Sequence, residues 1–106
     1  MSGAARTLIL IRHASAGDRD AWVGDDTVRP LDPRGRRQAR GLVELLARYP
    51  VSRIVTSPYV RCVQTVLPLA AALGLRAEER PELAEGTGDA VLSLLPSLRA
   101  GTALCT

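Results

Sequence analysis

The sequence predicts an α/β protein built in layers on a mostly parallel sheet. Short β-branched runs alternate with stretches at helical spacing, in the order β-α-β-α-(β)-α-β. Cap pairs, Asp32-Pro33 and Ser57-Pro58, fall at two of the junctions. The first apolar run, Thr7 to Ile11, stops abruptly at Arg12-His13. That is the pattern of a central parallel strand delivering polar side chains to its carboxyl edge, where open α/β sheets bind ligands.

Residues 1–6 are a small, polar lead-in to that strand. The polar segment 14–31, with Gly17, a Gly24-Asp25-Asp26 turn signal and the lone Trp22, reads as a surface loop beside the site. Trp22 either caps the pocket or anchors the loop. Asp32 as N-cap and Pro33 at the first helical position open a helix carrying Ala39, Leu42, Val43 and Leu46 on one face. It should run to about residue 48, with Pro50 ending it. Residues 53–56 form a short β-branched strand. Ser57-Pro58 then repeats the cap chemistry for a helix burying Val60, Val63, Leu67 and Ala70, with Gly74 as its stop. Pro68 predicts a kink or an early end. Residues 75–77 suit a short strand and 78–88 a loop; Asp89 caps a third helix using Val91, Leu92, Leu95 and Leu98. Residues 102–105 suit a last strand, and residues 1–106 read as one domain without internal repeats.

Composition narrows the function classes. A chain of 106 residues with 46% hydrophobic and only 3% aromatic content is globular with an aliphatic core. All 14 basic residues are arginine, against 11 acids, giving a net charge of +3. Arginine's planar fork suits phosphate, although a coding preference is the better account of most of the 14. They are spread among acids without an aromatic-interleaved patch, which argues against nucleic acid as a partner. Cys62 and Cys105 lie far apart, outside metal-ligand spacing, and read as buried thiols of a reducing compartment. The apolar run from Leu8 is too short for a membrane span or a signal segment, so a cytoplasmic protein with no membrane partner is expected.

Two strand ends carry related chemistry, Arg12-His13 on the first and Ser57-Pro58-Tyr59-Val60-Arg61 on the second. Adjacent parallel strands would bring both arginines to one side of the sheet, beside a helix N-terminus that favours an anion. A neutral imidazole can attack phosphorus while guanidinium forks neutralise the transferred oxygens.

Leu10-Ile11-Arg12-His13-Ala14 resembles the signature of the histidine phosphatase superfamily, phosphoglycerate-mutase-like, in its Arg-His-Ala variant. Leu31-Asp32-x-x-Gly35-Arg36-Arg37-Gln38-Ala39 is similar to its Leu-Thr-x-x-Gly-x-x-Gln-Ala helix. Thr56-Ser57-Pro58-Tyr59-Val60-Arg61-Cys62-Val63-Gln64-Thr65 is similar to its Ser-Ser-Pro-x-x-Arg-x-x-Gln-Thr block. The short length and Arg12-His13-Ala14 resemble the small bacterial phosphohistidine phosphatases, and Trp22-x-Gly24-Asp25-Asp26 followed by Arg29-Pro30-Leu31-Asp32 is similar, more closely still, to the phosphatase domain attached to some actinobacterial Nudix hydrolases. The resemblance implies a three-layer sandwich around a mostly parallel central sheet. It implies His13 as the nucleophile that becomes phosphohistidine, with Arg12 and Arg61 clamping the phosphoryl group. Glu85, or alternatively Glu82, would be the carboxylic acid that protonates the leaving oxygen. Ser57 would bind phosphate or only cap its helix, and Gln64 and Thr65 would orient Arg61. No metal or cofactor is implied. The substrate would be a phosphorylated small molecule, a nucleotide or a phosphoprotein.

The chain departs from that pattern in one respect. The family has a second histidine just after a later strand, and His13 is the only histidine in 106 residues. The expectation is a domain lacking the C-terminal part of the fold, as a fragment or truncated product, with apolar sheet surface left exposed. It is either an active phosphatase or a catalytically impaired phosphate-binding module.

Overall fold

Side chains along the strands alternate between two apolar layers, and that alternation fixes the architecture. The computed structural model describes residues 8–84, 92, 94, 98 and 100–106. The main elements are β1 (Leu8–Ile11), α1 (Pro33–Leu45), β2 (Arg53–Thr56), α2 (Val60–Leu73), β3 (Ala77–Glu79) and β4 (Thr102–Cys105). The strands form one sheet in the order β1-β4-β2-β3, and every described pairing is parallel. On one face Ile54, Ala103 and Cys105 pack with Cys62, Val66, Leu69 and Ala70 of α2 and with Leu46. On the other, Val55 and Leu104 pack with Leu83, Leu94 and Leu98. These are the three layers expected of an α/β sandwich.

β1 is not central. β4 lies between it and β2, which leaves β1 at an edge of the described sheet. Leu10, on the sparsely covered face, is accordingly 67% exposed.

The local junctions follow their cap chemistry. The Asp32 carboxylate accepts from the Gly35 N–H, with Pro33 in the first turn of α1. α1 stops at Leu45, short of the expected residue 48, where the chain tightens into turns before Pro50. β2 and β4 have the expected bounds. β3 falls two residues later than expected, in the charged stretch Ala77–Glu79. An edge strand tolerates charge, and Arg53 on β2 holds Glu78 through two bonds of 2.9 Å. Leu92 and Leu94 are helical, while most of the expected third helix lies outside the described residues.

α2 differs from expectation in three ways. Its N-cap is Tyr59, without a side-chain cap, so Ser57-Pro58 precede the helix instead of opening it. Its buried face carries Arg61, Cys62, Thr65, Val66, Leu69 and Ala70, and Leu67 is 49% exposed. The expected stripe is thus rotated by about one residue, because Arg61 points inward. Pro68 does not interrupt the helix. It lines a surface groove with Gln64 and Leu67, where solvent can reach the carbonyl its missing N–H leaves over. Gly74 closes α2 at φ 65°, the left-handed cap conformation that glycine adopts without strain.

Candidate active site

The carboxyl ends of β1, β4 and β2 lie side by side. Thr106 N–H donates to Ile11 O and His13 N–H to Thr106 O, both at 3.1 Å, and Ser57 N–H donates to Cys105 O at 2.9 Å. The end of β4 therefore separates the two strand ends that were expected to be adjacent. Arg12 is exposed and His13 half-buried. Ser57 is buried, and its Oγ accepts from Tyr59 N–H at 3.2 Å, so it caps a tight turn before α2.

His13 Nδ1 lies 2.8 Å from Ala14 O. A carbonyl can only accept, so Nδ1 carries a proton, and in the neutral ring the lone pair is then on Nε2. The peptides around Ala14 are themselves held. Ala14 N–H donates to Thr65 Oγ1 at 2.9 Å, and Ser15 N–H donates to Gln38 Oε1 at 2.9 Å. Thr65 Oγ1 in turn donates to Arg61 O at 2.6 Å. Gln64 does not orient Arg61; its Oε1 accepts from Leu31 N–H at 2.8 Å.

Arg61 is fully buried, and Asp26 faces its guanidinium. Arg61 Nη1 donates to Asp26 O at 2.8 Å and Nη2 to Asp26 Oδ2 at 3.1 Å. Asp26 Oδ1 accepts from Arg29 Nε at 2.9 Å, and Arg29 Nη1 reaches back to Ala16 O. The Tyr59 ring completes the enclosure, 4.8 Å from Arg61 Cζ. Neither Asp26 nor Arg29 was among the expected site residues. The sequence carries a signal for them, the stretch Trp22-x-Gly24-Asp25-Asp26 followed by Arg29-Pro30-Leu31-Asp32 that bears the family resemblance, but it gives neither residue a role. Trp22 anchors this loop, its Nε1–H donating to Asp25 O at 3.0 Å.

The loop's carboxylates are held ionised. Hydrogen bonding to Arg29 lowers the Asp26 carboxyl below its ordinary range, and the Ser15 hydroxyl followed by the Gly35 N–H does so for Asp32. A carboxylate whose folded pKa is depressed adds stability above its unfolded pKa and loses it as pH falls through the folded value. Thermal unfolding followed by circular dichroism is expected to be level above about pH 5 and to fall steeply below about pH 4. Asp32→Asn should have a shallower acid slope, and an unchanged slope would remove Asp32 from that account.

Glu85 lies outside the described residues. Glu82 sits in a short turn, Pro81–Leu83, and accepts from Arg80 Nη2 at 2.8 Å. That bond lowers its pKa, which suits an ionised carboxylate and not a proton donor. The same turn approaches the strand ends, since Thr106 Oγ1 donates to Leu83 O at 3.0 Å. Among the described residues no group of three or more His, Cys, Asp or Glu side chains could hold a metal ion, and no helix is long and apolar enough to cross a membrane.

A parallel sheet between two layers, with an Arg-His pair at one strand's carboxyl end, places the chain among the layered α/β proteins. The chain belongs to the histidine phosphatase superfamily (branch 1), whose model matches residues 8–91. It is 41% identical over 80 residues to the 8-oxo-(d)GTP phosphatase of Mycolicibacterium smegmatis, covering 76% of this chain and 25% of that protein. Its fold superposes on the SixA protein of Nakamurella multipartitia with a TM-score of 0.73 and 35% identity, over 97% of this chain and 59% of that one. The SixA protein of Agrobacterium tumefaciens gives a TM-score of 0.78 at 25% identity, over 92% and 66% of the two chains. The protein histidine phosphatase SixA in complex with tungstate gives 0.67 at 26%, over 92% and 66%. The chain thus spans a quarter of that curated relative and about three-fifths to two-thirds of these solved structures.

Proposed function

We propose that the chain carries a phosphatase site working through a covalent phosphohistidine on His13. The observation that carries this reading is the His13 Nδ1 bond to Ala14 O, which in the neutral ring leaves Nε2 as the nitrogen able to attack. In the first step Nε2 attacks phosphorus, the P–N bond forms, and the bond to the leaving group breaks as that group takes a proton. In the second, water attacks phosphorus, the P–N bond breaks, and inorganic phosphate departs. Arg12, exposed beside His13, and Arg61 neutralise the phosphoryl oxygens. Arg61 Nη1 and Nη2 both meet Asp26, so on this reading a phosphate contact requires the loop that carries Asp26 to give way. Glu85 is the proton donor that this reading retains, because Glu82 is committed to Arg80.

Membership of the superfamily supports the reading, as do the names of the relatives. Those names also frame the substrate as a phosphohistidine or a nucleotide phosphate, within the broader class of phosphomonoesters and phosphorylated proteins. The alternative is binding of phosphate without turnover.

Trapping the phosphoenzyme decides between the two. Wild type offered a labelled nucleotide or a phosphohistidine-bearing protein is expected to take up acid-labile, base-stable label. Binding of vanadate or phosphate without label or turnover would leave only the binding module. Replacement of the clamp gives a second check by phosphate titration. Arg61→Ala is expected to weaken phosphate binding at least about tenfold, the scale of a lost charge-assisted contact, and Arg36→Ala, on the exposed face of α1, by less than about twofold. Thermal melts of both variants show whether Arg61→Ala still folds; equal effects in folded proteins would take Arg61 out of the pocket.

A further inference from the structure

We infer that Thr65 and Gln38 are positioning residues that set the tautomer of His13 by holding the two peptides on either side of Ala14. The inference rests on the reading of His13 as the phosphoryl acceptor and adds what keeps Nε2 in the attacking state.

The two side chains come from different helices and hold successive peptide N–H groups, those of Ala14 and Ser15. Thr65 of α2 is fully buried, and its hydroxyl has one proton and a carbonyl, Arg61 O, to receive it at 2.6 Å. The orientation of that proton is therefore settled, and the hydroxyl's lone pair faces the Ala14 N–H at 2.9 Å. Gln38 of α1 acts on the next peptide. Its Oε1 accepts from Ser15 N–H at 2.9 Å, and the carbonyl of that same peptide, Ala14 O, is the one His13 Nδ1 donates to. A peptide whose N–H is already donating has a more polarised carbonyl, and so a better acceptor for Nδ1–H. Thr65 fixes the start of the Ala14 unit and Gln38 strengthens and aims its end.

A free imidazole prefers to carry its proton on Nε2, which would put the lone pair on the wrong nitrogen for attack from this ring position. Without the two holds the Ala14–Ser15 peptide can turn, and the ring reverts toward that preference. The role differs from the expectation that Thr65 orients the Arg61 guanidinium, because the bond runs to the Arg61 main chain and onward to His13.

His13 is the only histidine of the chain, so long-range proton–nitrogen NMR of the imidazole reads this tautomer without assignment ambiguity. In wild type at alkaline pH the Nδ1–H form is expected to predominate. Thr65→Val, which keeps shape and loses the hydroxyl, should move the population toward Nε2–H and slow phosphoenzyme formation by roughly 10- to 100-fold, the usual scale for removing an orienting partner. Thr65→Ser should restore both. Gln38 is exposed, so Gln38→Ala tests the same point without threatening the core, and it should shift the tautomer in the same direction. A predominant Nε2–H form in wild type, or an unchanged tautomer in both folded Thr65→Val and Gln38→Ala, would overturn the inference. Failure of Thr65→Ser to rescue would reduce Thr65 to packing and equally overturn its role. Absence of label on a wild type that shows the Nδ1–H form would count against the phosphatase reading and leave the positioning intact.

Discussion

His13→Ala is expected to take up no acid-labile label and to lose turnover by at least about a thousandfold, the scale on which removal of a covalent nucleophile is felt. The expectation depends on whether another side chain can substitute, and each neighbour has a reason not to. Ser15 Oγ donates to Asp32 at 2.6 Å, but Asp32 is held below the ordinary carboxylate range and is too weak a base to take that proton. Ser57 Oγ is buried and occupied as an acceptor by the Tyr59 N–H. Cys62 and Cys105 are buried thiols, and hydrogen bonding to Cys62 together with burial pushes the Cys105 thiol up, so it stays protonated and inert. Thr106 donates its hydroxyl proton to Leu83 O. His13 is only half-buried, so its truncation removes no fully buried side chain and the variant should melt close to wild type. Covalent label persisting on His13→Ala, mapped by peptide analysis to another residue, would show that the strand-end histidine is not the acceptor.

The parts of this architecture that were legible in the sequence are those governed by neighbours along the chain. The Asp32-Pro33 start of α1, the Gly74 stop of α2 and the bounds of β2 and β4 depend on capping and β-branched runs within a few residues. Strand order was not legible, because whether β4 inserts between β1 and β2 depends on how crossovers pack and not on the strand residues themselves. The rotation of α2 shows the limit most clearly. Val60, Val63 and Leu67 are as apolar as Cys62, Val66 and Leu69, so periodicity alone supports either face. The choice falls to Arg61, which can be buried because Asp26, 35 residues earlier, meets it. The site blocks were legible as a pattern, while the reason for their pairing was not. Gln38 and Thr65 belong to different blocks and reach the adjacent N–H groups of Ser15 and Ala14, just after the Arg-His pair, only once the helices are packed on the sheet.

Gly35→Ala is expected to be the most destabilising small substitution in α1, although alanine is the better helix former. Two effects oppose each other. Propensity favours alanine by roughly 1 kcal/mol within a helix. Against it, a β-carbon at residue 35 would lie 1.9 Å from Ser15 O and 2.8 Å from Ser15 C, both main-chain atoms. A flexible side chain could move aside, but Ser15 is tied down. Its carbonyl accepts from Asp32 N–H at 3.0 Å, its hydroxyl donates to Asp32 at 2.6 Å, and its N–H is held by Gln38 at 2.9 Å. Relieving the clash means parting the first turn of α1 from the loop after His13 and breaking several of these bonds together. Overpacking of this kind costs about 3 kcal/mol, which outweighs propensity. In a chain of this size that amounts to a fall in melting temperature of roughly 10–20 °C. Gly41→Ala is the matched control, because Gly41 lies in the same helix with nothing within 4 Å of its β-carbon position. It should gain stability, by up to about 1 kcal/mol. The contrast between the two separates helix propensity from close approach. A Gly35→Ala protein melting at or above wild type would mean that the Ser15 main chain yields freely. The rigid Ala14–Ser15 peptide that holds the His13 tautomer would then lose its physical basis.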